Sequence, residues 1–341
     1  MVKDRGAARK KGQRFTVFLV PVVLALAAAL LLFSDSLFAV RQQELGFLMD
    51  APVMVSVRGK RRTARLALDA VAELEGELSR FREGTDVWKV NAHPGEAVEV
   101  SSRCIRLVTL ADGLRERTGG AYSVTLGDLS DLWNITASNP AVPEAAEIDR
   151  LLKLPRSVRA DGNTLMVTPA KALDLGSLGK GAACDAIREL LPERGAKEGV
   201  ASVGGNVLVF GERANFKVAV RDPRGGVEDI LGILTMGAGC VSTSGGYERY
   251  FELDGNRWHH ILDGLSGYPA EPGLLSVTVI VPERADAGAY SDMLSTACFV
   301  LGYEASLPLL REYGVSAVFV LEDGSVKAVP GVGIEWQVMN P

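Results

Sequence analysis

Histidine, cysteine and tryptophan are scarce in this sequence, at three, four and four among 341 residues. Cys104, Cys184, Cys240 and Cys298 are widely spaced with no CxxC pair, so zinc-ribbon and thioredoxin-type chemistry are excluded. They could close disulfides in an exported chain or remain buried thiols, since Cys184 and Cys298 fall in apolar helical patterns. Of the adjacent pair His259 and His260, one is scaffold, because strand neighbours point to opposite faces and cannot converge on one zinc. The Gly204-Gly205-Asn206 turn lacks the GxGxxG spacing of a Rossmann site. A Walker A loop is also missing: Asp174 stands where its first glycine belongs, and Gly181 where its Ser or Thr belongs. There is no internal repeat and no low-complexity tract.

Net positive charge is likewise missing from most of the chain. Residues 1 to 14 carry six basic side chains and one acid, net +5, so the whole-chain −5 leaves −10 for the remainder. That acidic body argues against nucleic acid as a partner. What the chain does have is apolar substance, 47% hydrophobic residues, enough for one large domain or two closely packed ones. Phe15 to Phe33 is apolar except for Thr16 and is about long enough to cross a bilayer. The expected organisation is a cytoplasmic basic segment (1–14), a transmembrane signal anchor (15–33), a linker (34–44) and one domain (45–341). By the positive-inside rule that domain lies on the extracytoplasmic side of the cytoplasmic membrane. Leu37-Phe38-Ala39 leaves cleavage of a signal peptide open.

Strand and helix patterns are mixed rather than alternating, which gives an α+β class. Strands are expected at Val53–Val57, Gly199–Val203, Val207–Phe210, Phe216–Val220, Ile230–Met236, Ser276–Val281 and Ser316–Leu321, with an edge strand at Val332–Gln337. Helices are expected at Thr63–Phe81, with Phe81 on the apolar face, after a Ser101 or Ser102 cap, and at Glu144–Leu152, Ala287–Leu301 and Glu304–Tyr313. Gly84–Asn91 reads as a loop with Trp88 buried, and Ala121–Leu129 as a binding loop or a connector. Asp161-Gly162-Asn163 and Asp254-Gly255-Asn256 mark hairpins.

Three places could carry chemistry. In Ala238–Tyr268, small hydroxyl residues and glycines precede the hairpin, Glu248–Leu253 with Arg257–Leu262, that holds the histidine pair. The turn Leu173-Asp174-Leu175-Gly176-Ser177-Leu178-Gly179-Lys180-Gly181 joins a strand to a helix N-terminus, where free N–H groups suit phosphate, although tight packing explains such glycines equally. Asp292 and Thr296, four apart on a helix, make a local hydrogen bond or half of a hard-cation site.

Taken together, these motifs resemble the ApbE family of FAD:protein FMN transferases from about Met49 to Gly302. TSGGYERYFELDGNRWHHILDGLSGYP, LDLGSLGKGAACD, TGGAYSVTLGDLSDLW and SDMLSTACFVLG each match a family motif, in order. The resemblance implies mixed, mainly antiparallel sheets with packed helices. It implies an enzyme that takes FAD as substrate, uses Mg²⁺, and attaches FMN to a Thr or Ser hydroxyl of an acceptor protein, releasing AMP. Asp292, Thr296 and the main-chain carbonyl of Ser177 match the metal ligands. Met49, Asn91, Ala121, Tyr122, Ser123, Asp174, Lys180 and Ile261 match flavin-site positions, and His260 the histidine near the reaction. An FAD pyrophosphatase and a flavin-binding protein with lapsed catalysis are the alternatives. The departures are Met49-Asp50-Ala51 for Met-Gly-Thr, Tyr122-Ser123-Val124 for Phe-Asp-Pro, and Asp263-Gly264-Leu265-Ser266-Gly267 for Asp-Pro-x-Thr-Gly. Asp50 thereby adds an acid beside an anionic ligand.

Overall fold

The structure is a computed structural model that describes residues 40–226, 228–331 and 333–339. The basic segment and the expected anchor lie outside the described residues. Strands β1 (Val40–Leu48) and β2 (Ala51–Gly59) form a hairpin leading into helix α1 (Thr63–Leu78). A lobe follows: helix α2 (Asp86–Ala92), strand β3 (Val98–Glu99), helices α3 (Ser102–Arg117), α4 (Gly127–Trp133) and α5 (Ala145–Leu152), and hairpin β4 (Ser157–Asp161), β5 (Thr164–Thr168). Helix α6 (Gly179–Leu190) returns the chain to β6 (Glu198–Val203), β7 (Asn206–Gly211), β8 (Phe216–Arg221), β9 (Ile230–Met236) and β10 (Gly239–Gly245). The small hairpin β11 (Tyr250–Leu253), β12 (Asn256–His259) precedes β13 (Leu274–Pro282), helix α7 (Ala287–Tyr313), β14 (Ser316–Leu321), β15 (Val326–Val329) and β16 (Glu335–Val338).

Eight strands form one antiparallel sheet in the order β1-β2-β6-β7-β10-β13-β14-β15. In β2, Val53, Val55 and Val57 are buried while Met54, Ser56 and Arg58 alternate outward, the period-2 pattern of a half-covered strand. The inner face packs on α1, α3, α6 and α7 in the main core, where Val71, Leu107, Ile187 and Leu294 are buried. The outer face is covered over β7, β10, β13 and β14 by a second sheet, β16-β9-β8, through Val209, Val241, Ile280 and Val318. In the lobe, Trp133 stacks on Trp258 at 5.4 Å and donates from Nε1 to Gly267 O at 2.8 Å, which ties the lobe to the segment after β12. Burial of one such aromatic side chain stabilises by about 3 kcal/mol or more.

Several expectations need correction. Part of the 34–44 linker is strand, since β1 starts at Val40 and pairs with Gly59. Gly84–Asn91 is mostly helix: Thr85 caps it by accepting from Trp88 N–H, and Trp88 is only half buried. Helix α1 ends at Leu78, so Phe81 lies beyond it and is 78% exposed. Helix begins at Gly127 inside the expected 121–129 loop, and no strand precedes α6. The two expected C-terminal helices, by contrast, are present: they abut as the two halves of α7, parted at Gly302, whose φ of 78° is outside the helical range. By length and apolarity α7 could cross a membrane, but 56% of its apolar window is buried inside the fold and it is a core helix.

Candidate active site

The site forms where four turns meet at one end of the large sheet. Met49 and Asp50 make the β1–β2 turn, both left-handed at φ 54°. The left-handed region costs a side chain about 1 kcal/mol or more and is tolerated best by Gly, Asn and Asp, so Asp50 fits where the family pattern has Gly and Met49 carries the strain. Asp50 is exposed. The Met49 N–H donates to Glu75 Oε1 at 3.0 Å, and its methyl lies 3.3 Å from where a Cβ on Gly179 would stand. Met49 therefore covers the N-terminus of α6.

Asp174 approaches the same helix start from the lobe. Its Oδ1 accepts from Gly176 N–H at 2.8 Å and its Oδ2 from Arg80 Nη1 at 3.0 Å. Arg80, nearly buried, also pairs with Asp131 at 2.9 Å and donates to Gly127 O. Asn91 spends its amide on Leu173, donating to its O and accepting from its N–H, both at 2.9 Å, and so fixes the strand of chain entering Asp174. Tyr122 is buried, with its hydroxyl 3.0 Å from Ser177 Oγ, and burial pushes the phenol well up. Ala121 O accepts from Gly264 N–H at 2.9 Å, so two of the segments that depart from the family pattern pack together. Ser123 bonds Thr125 at 2.9 Å.

Beneath this turn α6 crosses α7 almost in backbone contact. A Cβ on Gly181 would strike Gly288 O and come within 2.7 Å of Asp292 Cβ. Asp292 is buried, and its Oδ2 accepts from Gly181 N–H at 2.9 Å. Burial raises its pKa, against the nearby Lys180 ammonium, the Gly181 amide and the Asn206 side chain. Thr296 Oγ1 donates to Asp292 O at 3.3 Å and meets Ser244 Oγ at 3.2 Å. A hydroxyl ladder joins β10 to α7: Ser242 to Ser291 at 2.6 Å and to Asn206, and Ser244 to Ser295 at 2.8 Å. Of the two readings of the Asp292–Thr296 pair, the structure shows the local hydrogen bond, made by the threonine hydroxyl to the Asp292 main-chain oxygen. Among the described residues no three His, Cys, Asp or Glu side chains cluster, so any cation here rests on one carboxylate and neutral oxygens. Such a donor set suits a hard ion that keeps water and phosphate ligands.

The fourth turn carries the histidines, and they separate as alternation requires. His259 ends β12, buried, with Nε2–H donating to Ala270 O at 2.9 Å and Nδ1 accepting from Ile261 N–H at 3.2 Å. His260 lies just past the strand, which stops short of the expected Leu262. Its Nδ1–H donates to Arg249 O at 3.2 Å, leaving the Nε2 lone pair free. The ring reaches solvent although protein crowds it on most sides, as at the floor of a depression. That crowding, with Lys180 and Arg249 nearby, lowers its pKa to about 4, so it is neutral at pH 7. Ile261 is buried.

Lys180 links the parts: its stem lies against Gly204, 2.9 Å from a Cβ there, and its charge acts on Asp292, His260 and Glu248. Sequence reading missed Arg80, Glu248, and the bonding of Ser242 and Ser244, which it had marked as hydroxyl side chains, to Asn206, Ser291 and Ser295. Glu248 approaches Gly205, and its carboxyl is raised by desolvation against Lys180, Arg221 and Arg249. Only its place between Tyr247 and Arg249 in the histidine stretch could have flagged it.

The ApbE family model matches residues 49–319. An FAD:protein FMN transferase of Treponema pallidum is 34% identical over 307 residues, covering 82% of this chain and 84% of the relative. One from Klebsiella pneumoniae is 33% identical, covering 82% and 89%. Among solved structures, the ApbE protein of Thermotoga maritima superposes with a TM-score of 0.76 at 33% identity, covering 84% of this chain and 96% of that one. The flavinyl transferase ApbE of Pseudomonas stutzeri, in its apo form, gives 0.74 at 28%, covering 87% and 96%. With the family model spanning residues 49–319 and a relative 34% identical over 82% of this chain, the chain belongs to the ApbE family.

Proposed function

We propose that this chain transfers FMN from FAD to a Thr or Ser hydroxyl of an acceptor protein and releases AMP. The observation that carries the reading is the placing about Lys180 of a buried carboxylate, Asp292, and an imidazole, His260, whose Nδ1 is held by Arg249 O. Family membership supports the substrate. The FMN phosphate would sit near the start of α6, where the positive end of the helix dipole and the Lys180 ammonium neutralise charge, the Gly179 and Gly181 amides being already bonded to Leu175 O and Asp292. Asp174, held by Arg80, and Met49 would wall the flavin, with Asn91 and Tyr122 supporting the turn from behind.

Asp292 and Thr296, with the Ser177 carbonyl that the family resemblance adds, would hold Mg²⁺, since a buried carboxylate whose charge is disfavoured gains most from a hard cation. When bound, Mg²⁺ would neutralise the pyrophosphate and favour its in-line cleavage. His260 Nε2 would take the acceptor's hydroxyl proton as the new O–P bond forms, while the pyrophosphate bond breaks and AMP leaves with the bridging oxygen. The openness of the His260 ring favours a side reaction in which water replaces an absent acceptor, giving free FMN and AMP. The deciding test is mass spectrometry of an acceptor protein after incubation with the full chain, FAD and Mg²⁺. A flavinylated Thr or Ser is expected; equal release of FMN and AMP with and without acceptor, and no adduct, would establish the pyrophosphatase instead.

The apolar run 15–33 with its basic flank supports a single-pass anchor that leaves the domain on the extracytoplasmic side, where a membrane redox protein would serve as acceptor. Protease added outside the cytoplasmic membrane should digest the chain beyond Arg41; full protection would refute export.

A further inference from the structure

We propose that a basic cleft beside the start of β1 is a second, non-catalytic site that docks on the anionic phosphate headgroups of a phospholipid bilayer. The cleft, of ≈ 360 Å³, lies at the β2–β6 end of the large sheet next to the first residues of β8, and Arg41, Arg213 and Lys217 line it with Ser56, Asn215 and one acid, Glu198. Glu198 lies 3.8 Å from Arg213, so three cations meet one carboxylate. Arg41 and Arg58 are cross-strand partners on the outward face, and Lys60, Arg61 and Arg62 are exposed in the turn after β2. Gln42 Nε2 donates to Lys60 O at 2.6 Å and holds that turn beside the entry of the chain into β1. Cations thus gather at one end of a body that is acidic overall.

The occupant follows from where the chain leads. Only six residues, 34–39, separate the apolar run ending at Phe33 from Val40. At about 3.5 Å per residue they span at most roughly 20 Å, so an anchored chain holds the cleft within reach of the headgroups. This rests on the anchor reading above. The candidate active site lies at the opposite end of β1, which over nine residues is about 30 Å away. Docking through the cleft would therefore turn the active site away from the bilayer and leave it open to an acceptor.

The experiment uses the full chain inserted in vesicles of phosphatidylcholine alone or with phosphatidylglycerol. Asn215→Cys, labelled with an environment-sensitive fluorophore, reports on the cleft, because all four native cysteines are buried. A blue shift is expected only with phosphatidylglycerol, reversed by salt, with the docked fraction falling about fivefold for each of Arg41→Gln and Lys217→Gln. Wild-type amide exchange over 40–47 and 213–217 should slow in the same vesicles, without relying on any variant. No shift and no slowing in anionic vesicles that retain the protein would overturn the proposal. So would an equal response to glycerol phosphate without vesicles, which marks a soluble ester site, or a response in neutral vesicles only on adding an acceptor protein. Failure to sediment with either vesicle would remove the anchor and the cleft's role together. No flavin is involved, so the result is independent of the transferase reading.

Discussion

The α6–α7 crossing and the β11–β12 hairpin supply opposite sides of one site and are built in opposite ways. At the crossing, Gly181 and Gly288 bring two backbones together, Asp185 caps α7 by accepting from Gly288 and Ala289 N–H at 2.9 and 2.8 Å, and Asp292 is buried between them. The hairpin is a two-stranded ribbon with mostly exposed residues, fastened by Phe251, Trp258 and the buried His259. A rigid crossing holds charge at a fixed depth, while an open ribbon can present a base to a large partner. Added bulk on the first side should therefore damage the fold, whereas loss of charge there, or of the imidazole on the second side, should affect chemistry alone.

The largest effect is expected at Asp292. Asp292→Asn keeps an oxygen for Gly181 N–H but removes the charge, so FAD turnover should fall below detection while the melting temperature holds; turnover that survives, or that persists with a chelator, would refute the cation assignment. Next is His260→Ala, expected to lower FMN transfer about 10²–10⁴-fold with no loss of stability, since the ring is exposed. In the wild type the imidazole works when neutral, so its acid limb in kcat/KM should inflect near 4, well below an ordinary histidine; a midpoint between 6 and 7 would place the base elsewhere. Gly181→Val should destabilise by about 1–3 kcal/mol in denaturant titration, because the new side chain meets the Gly288 backbone; a neutral result would mean the crossing is looser than described.

The smallest effect tests the buried cap. Burial raises Asp185 to about 6, against its two amide partners. The folded state then binds the proton more tightly than the unfolded state, so Asp185 favours folding below the unfolded carboxylate pKa, and this contribution is lost as pH rises towards 6. Relative to Asp185→Asn, the wild type should lose stability between about pH 4 and 6 at roughly 1 kcal/mol per unit. Parallel curves for the two proteins would remove the shift.

The same contrast explains what the sequence made legible. Hairpins, caps and apolar periods depend on near neighbours, so Asp161-Gly162-Asn163, Ser101 and most strands are placed by short-range chemistry, and His259 and His260 were separated by alternation alone. Arg80 reaches Asp174 across 94 positions and the serine ladder joins β10 to α7 across about 50, so no local pattern announces them. The β1 strand was missed because its outward face mixes Arg41, Gln43, Leu45 and Phe47 and only one side of it packs on the core. Phe81 was misplaced because helical spacing continues through a residue that lies past the end of α1.

Helix α7 carries one more consequence. A chain that crosses a membrane during export is sampled by the insertion machinery segment by segment, and 27 residues of this apolarity resemble a stop signal. An ionised residue opposes insertion of such a segment, by up to about 3 kcal/mol at its centre and less towards its ends, and Asp292, with Ser291, Ser295 and Thr296, lies in its first half. In a chain exported as proposed above, the side chains that line the candidate site would also let the segment pass through, and replacing them with leucine would hold it in the membrane.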